Sequence, residues 1–317
     1  MSLSGVAARL RLLATALLFS TGGAGIKWTM LGAWQVSCFR SGVAAVAVWL
    51  FVPAARRRWG WRVLVVALAY AMTLTLFVIA NKLTTAANAI FLQSTAPLWV
   101  LLAGPLVLRE RATREDLVFM GVVALGMALF FVGADRPQAT APDPARGNVL
   151  AAISGVGYAG VVLGLRWVGR GRVPAESLSA TADEAATEAP SGASDDAITT
   201  VIAGNVLACL VALPMALPLP PVHAADVVVV LYLGAVQIGL AYFLMSTAMP
   251  HVPALAASTI LLVEPALNPL WAWLVHGERP APLALAGGAT IILGAAVKSW
   301  WDGRRLPFAQ DAGQASA

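Results

Sequence analysis

The feature that most constrains this chain is a succession of apolar runs, each close to the roughly 20 residues that an α-helix needs to cross a bilayer. Ten such runs, bounded by charge, proline or glycine, fall at about 10–27, 34–53, 62–80, 84–107, 114–132, 148–168, 198–217, 226–249, 254–275 and 284–301. Over the 317 residues, 59% are hydrophobic and 12% charged, against roughly 45–50% and ~25% in a soluble domain. A helix bonds its own backbone, so lipid accepts apolar surface that water does not. The expectation is an all-α integral membrane protein of ten transmembrane helices. Arg9 and Arg11 before LLATALLFSTGGAGI have the form of a signal peptide, but nine runs behind them favour a first transmembrane helix.

Lysine and arginine in short loops and at span ends set orientation. With the N-terminus inside, the inner segments hold fifteen (Arg9, Arg11, Arg56, Arg57, Arg58, Arg62, Arg109, Arg111, Arg114, Arg166, Arg170, Arg172, Lys298, Arg304, Arg305) and the outer segments five (Lys27, Lys82, Arg136, Arg146, Arg279). Both termini are therefore expected on the cytoplasmic face of the cell membrane. Residues 134–147 read as a polar, proline-rich outer link between a first five-helix unit at 1–133 and a second at 148–301. The stretch 171–197 carries Glu176, Asp183, Glu184, Glu188, Asp195 and Asp196 among small residues and reads as a disordered cytoplasmic loop. Residues 302–317 form a cytoplasmic tail.

The chain also repeats itself. STAPLWVLLAGPLVLRERA from Ser94 aligns with LVEPALNPLWAWLVHGERP from Leu262, placing Pro97 on Pro265, Leu102 on Leu270, Glu110 on Glu278 and Arg111 on Arg279. Upstream, Leu76 falls on Leu244 and Ala80 on Ala248. Each unit has an odd number of spans, so the second enters the membrane from the opposite side. Such an inverted-topology repeat is typical of secondary transporters, whose site lies near the midplane between the halves. With Lys27, Arg40, NKLTTAANAIFLQSTAPLWVLL, LRERA and LLVEPALNPLWAWLVHGERP, the sequence resembles the drug/metabolite transporter superfamily, within it the EamA-type ten-helix transporters. The resemblance covers about 10–301 and implies export of amino acids or other small metabolites, or movement of drugs, sugars or phosphorylated compounds. The seventh and eighth runs carry no distinctive motif.

Ionisable residues inside a span are costly and are functional candidates by default. Glu264 lies about ten residues into its run, ~15 Å deep, and Arg40 about six residues into its own, ~9 Å deep. Glu264 is a candidate for pairing an ammonium or coupling to protons. It precedes Pro265, which removes an intrahelical bond and tends to kink the helix. Lys27 reads as an interfacial anchor that snorkels. Ala257, Glu264, Asn268 and Trp271 share a helical face, suited to a ligand with an ammonium and an apolar body. The same spacing aligns Asn88, Thr95 and Trp99; Tyr70, Thr73, Phe77 and Asn81; and Ser154 with Tyr158. Glu264, Asn268, Trp271, Asn88, Trp99, Tyr158, Tyr70 and Arg40 are thus the expected substrate-binding residues. Gly155, Gly157, Gly160 and Gly164 read as a close-packing surface.

No Walker A, HExxH or GxSxG motif occurs, and Cys38 and Cys209 lie within apolar runs, so no nucleotide, metal, cofactor or enzymatic chemistry is expected. The net charge of +5 is spread in clusters between spans, which argues against nucleic acid as a partner. The expected partners are the lipid bilayer and a small-molecule substrate. A non-transporting membrane partner or lipid-handling subunit is the alternative.

Overall fold

The computed structural model describes residues 5–56, 59–107, 113–132, 136–170, 191–248, 251–252, 257 and 260–314. The helices are α1 (Gly5–Ser20), α2 (Gly22–Trp28), α3 (Ala33–Phe51), α4 (Trp61–Leu83), α5 (Ala86–Gln93), α6 (Ala96–Val107), α7 (Arg114–Val132), α8 (Pro144–Arg170), α9 (Ser191–Ala216), α10 (Ala224–Leu231), α11 (Ala241–Ala248), α12 (Val263–His276) and α13 (Pro282–Gln314). A π-helical stretch, Tyr232–Leu240, joins α10 to α11. Among the described residues the only pairing of strand type is an isolated bridge between Gln138 and Ala141.

Seven segments are long and apolar enough to cross a membrane: Ala33–Phe51, Trp61–Leu83, Ala86–Ala103, Arg114–Val132, Pro144–Leu165, Ala197–Ala216 and Ala224–Ala248. The remaining expected spans also fall on helix, in α1 with α2, in α12, and in the shorter apolar stretch Pro282–Lys298 of α13. Two expected boundaries change. α9 begins at Ser191, so helix takes the end of the loop expected at 171–197; residues 171–190 of that loop lie outside the described residues. α13 continues to Gln314, through most of the expected tail.

Helix ends follow local chemistry. Thr113 and Asp116 cap α7 reciprocally: Asp116 Oδ2 accepts from the Thr113 amide at 2.7 Å, and Thr113 Oγ1 accepts from the Asp116 amide at 3.2 Å. Pro144 and Pro282 open α8 and α13, where a missing N–H costs nothing. Gly277 closes α12 at φ 66°, a conformation that other residues adopt only with strain.

Three expected spans are broken, the fourth at Ser94 and Thr95 between α5 and α6. The first divides at Thr21, where the Ser20 and Thr21 hydroxyls turn back to the carbonyls of Leu17 and Leu18, each at 2.7 Å; such back-bonding bends helices. The ninth is interrupted at Leu262, because Pro265 has no N–H to offer the carbonyl of Leu261.

The two largest of four apolar clusters leave a polar layer between them. Along α3 the first cluster takes Val36 and the second Ala45 and Val48, with Arg40 and Ser41 between. Along α4 the second takes Val66 and Tyr70 and the first Phe77 and Val78, with Thr73 and Thr75 between. Along α8, Ser154 and Tyr158 fall between Ala151 and Val161. The glycines of α8 allow this arrangement: a Cβ on Gly157 would stand 2.6 Å from Thr73 Oγ1, and one on Gly164 2.6 Å from Val66. α8 consequently lies directly against α4.

Candidate functional site

The polar layer collects side chains from both halves of the chain. Tyr70 of α4 donates its hydroxyl hydrogen to the Tyr242 hydroxyl of α11 at 2.9 Å, and the two rings meet edge to face at 6.4 Å. Tyr242 also stands edge to face with Phe19 of α1 at 5.3 Å. Both phenols lie within electrostatic range of Arg40. Tyr158 and Tyr242 lie within electrostatic range of Glu264. Glu264 occupies the second position of α12, where the positive end of the helix dipole favours a carboxylate. It remains partly accessible, and Tyr158 is 45% exposed. Tyr70 and Arg40 are buried, whereas Glu264 and Tyr158 keep accessible surface.

Arg40 is only 3% exposed. Its Nε finds no hydrogen-bond partner among the described residues, and the ionisable groups acting on it are the two tyrosines, not a carboxylate. A buried ion costs about several kcal/mol unless it is paired and hydrogen-bonded. Asn268, 1% exposed, likewise has neither amide atom satisfied. It packs against α2, where a Cβ on Gly23 would meet its Oδ1 at 2.5 Å.

Other expected site residues are committed to the fold. Asn88 donates to Thr84 Oγ1 at 3.3 Å and to Asn148 Oδ1 at 3.1 Å, joining α5 to α8. Trp99 donates to Thr95 Oγ1 at 3.2 Å within its own segment. Trp271 donates to Ser20 Oγ at 2.9 Å, joining α12 to the end of α1. The structure therefore brings Arg40, Tyr70, Tyr158 and Glu264 together, sets Asn268 beside α2, ties Asn88 and Trp271 to neighbouring helices, and bonds Trp99 to Thr95 in its own segment. Tyr242 belongs to the group although its run carries no motif. The π-helical stretch before it supplies Gln237, whose Oε1 is buried without a partner; such distortions often mark functional positions.

A second polar assembly lies at the end of the bundle where α2, α5 and α12 meet. Lys27 Nζ stands 2.8 Å from Glu278 Oε1, with side chains 2% and 1% exposed. It also donates to the carbonyls of Thr84 at 2.8 Å and Thr140 at 2.5 Å. Glu278 Oε2 accepts from the amide of Ala86 at the start of α5, at 2.9 Å. Lys27 is thus a buried partner of Glu278, not a snorkelling anchor, because a carboxylate and two carbonyls reach it inside the protein. Beside it, Lys82 donates to the Thr29 carbonyl at 2.7 Å, and Asp226 accepts from Thr29 Oγ1 at 2.7 Å and the Met30 amide at 2.8 Å.

Comparison with known proteins agrees with this architecture. No curated protein matches the sequence. A solved structure described only as "Crystal structure of protein" is similar at 19% identity, with a TM-score of 0.57, over 91% of this chain and 96% of that one; at that identity the likeness shows the fold alone. The sequence profile of the EamA-like transporter family matches residues 8–132 and 191–300. With most of the chain so matched, and multiple apolar helices around a polar interior, this multi-pass membrane protein belongs to the EamA-like transporter family.

Proposed function

We propose that the protein is a secondary transporter in the cell membrane. In this reading it moves a small metabolite, an amino acid or a related compound in the export direction, by alternating access between two inverted five-helix halves. The observation that carries this reading is the polar layer between two apolar clusters, lined from both halves and partly accessible at Glu264 and Tyr158. A buried guanidinium with no carboxylate among the described residues, and a carboxylate inside a span, are costly and are functional candidates by default.

The packing supports the inverted repeat. Exchanging the halves turns the contact of α4 with α8 into that of α11 with α1, and the contact of α5 and α6 with α8 into that of α12 with α1 and α2. The contacts of α3 with α9 and of α7 with α13 map onto themselves. With ten spans and both termini inside, the Lys27–Glu278 assembly lies at the outer face. There it closes the site, and opening outward must part α2 from the end of α12. Glu264 is the candidate for proton coupling.

Saturable, solute-selective flux into proteoliposomes tests the transporter reading; its absence for every small metabolite tried would favour a non-transporting partner. Single cysteines at Ala139 and Ala185, in a protein lacking Cys38 and Cys209, test orientation. Impermeant reagent should label position 139 from outside cells and leave 185 untouched.

A further inference from the structure

We propose that Arg40 is the seat of an anion subsite, and that the cargo carries a carboxylate that docks on it while any ammonium it bears faces Glu264. The inference rests on the transporter reading and specifies its cargo.

Three observations converge on it. Arg40 is buried, its Nε is unpartnered, and no carboxylate pairs with it among the described residues. A guanidinium offers five N–H donors in a planar fork that matches a carboxylate bidentately. Next, its surroundings are prepared for an acceptor that the protein does not supply. Tyr70 and Tyr242 stand beside it with hydroxyls fixed on each other, and Ser41 Oγ on the following residue is buried without a partner among the described residues. α9 presses on the Tyr70 ring at Gly204, where any Cβ would collide with that ring. Finally, Glu264 does not neutralise Arg40. It acts instead on Tyr158 and Tyr242, which leaves a positive and a negative pole in one polar layer with phenols between them.

Two poles that do not meet are the complement of a zwitterion. An amine without an acid would satisfy Glu264 and leave Arg40 bare. An acid without an amine would satisfy Arg40 and leave Glu264 facing no cation. A carboxylate-bearing cargo is therefore favoured over the cationic and neutral solutes that a single acidic residue would select.

The test uses the full-length protein in lipid nanodiscs and proteoliposomes. Thermal unfolding is followed with the standard L-amino acids, with 4-methylpentanoate (leucine lacking its ammonium) and with 3-methylbutylamine (leucine lacking its carboxylate). At least one carboxylate-bearing probe should stabilise the natural protein. Its affinity should fall about ten- to hundredfold in Arg40→Gln, the loss of a charge-assisted hydrogen-bond pair. It should fall less in Arg40→Lys, which keeps the charge but not the fork. Any binding of 4-methylpentanoate should survive Glu264→Gln.

Stabilisation only by the amine, carboxylate binding unchanged in both Arg40 variants, or no stabilisation by any carboxylate would overturn the proposal. Stabilisation that follows phosphatidylglycerol content and ignores soluble carboxylates would overturn it in favour of a lipid phosphate. Saturable flux of amines carried equally by Arg40→Gln removes the subsite and leaves the transporter standing. Carboxylate binding at Arg40 with no flux removes the transporter reading and keeps the subsite.

Discussion

Lys27 and Arg40 are both buried cations, yet the chain treats them in opposite ways. Lys27 finds a carboxylate oxygen at 2.8 Å and donates to two carbonyls. Arg40, scarcely more exposed, has its Nε unsatisfied and no carboxylate paired with it among the described residues. Burial alone does not tell a structural charge from a receptive one; the state of its donors does. At the Lys27 end, the fold gathers α2, α5, α12 and the loop at Thr140 around one ion pair. In the polar layer Arg40 has no such carboxylate among the described residues, and there we propose the cargo docks.

The largest effect is expected where that pair is broken from one side. Glu278→Gln leaves the Lys27 ammonium buried without its carboxylate, a loss of about 3–5 kcal/mol for a pair of this kind. Thermal unfolding in detergent should show a marked fall in Tm. Replacing both residues, Lys27→Met with Glu278→Gln, should recover much of it, and a double variant no more stable than the single one would mean that the pair is not the clamp described.

Glu264→Gln sharpens the other side of the comparison. The amide keeps size and hydrogen bonding but removes the charge, so stability should stay near that of the natural protein while flux of ammonium-bearing cargo drops about tenfold or more. If Glu264 also carries the coupled proton, flux through the natural protein varies with pH and flux through the variant is nearly flat. Unchanged flux with unchanged pH dependence would return Glu264 to a packing role beside Pro265.

The smallest change is expected from Tyr70→Phe. It removes the hydroxyl that bonds Tyr242 and interacts with Asn205 while keeping the ring packing, for about 1 kcal/mol of stability. A much larger loss would show that the phenol pair holds α4 and α11 together rather than shaping the layer between them.

Seven of the spans were legible because lipid imposes one rule along every helix, and Pro265 announced the break at Leu262, just before α12, by lacking a donor. Other features depend on groups distant in sequence. The bend at Thr21 comes from hydroxyls that look like ordinary small polar residues in an apolar run. Asn88 shares a helical face with Thr95, but Asn148, 60 residues away, takes its amide. Glu278 sits just past the end of an apolar run and reads as a surface turn; only the approach of α2 and α5 buries it. Tyr242 was silent because an aromatic residue in an apolar run is equally at home against lipid. What the sequence exposed well was charge inside a span, and Arg40 and Glu264 both fall in the polar layer.

The most direct test of this account crosses the two cations in one measurement: thermal unfolding of the natural protein, Glu278→Gln and Arg40→Gln, each with and without the carboxylate-bearing probe that stabilises the natural protein most. Glu278→Gln should unfold at a lower temperature and still be stabilised by the probe. Arg40→Gln should unfold at or above the natural temperature, because it sheds an unpaired buried charge, and should gain little from the probe at the same concentration. The opposite pattern, a destabilised Arg40→Gln that retains the full ligand shift, would make Arg40 structural and contradict the account.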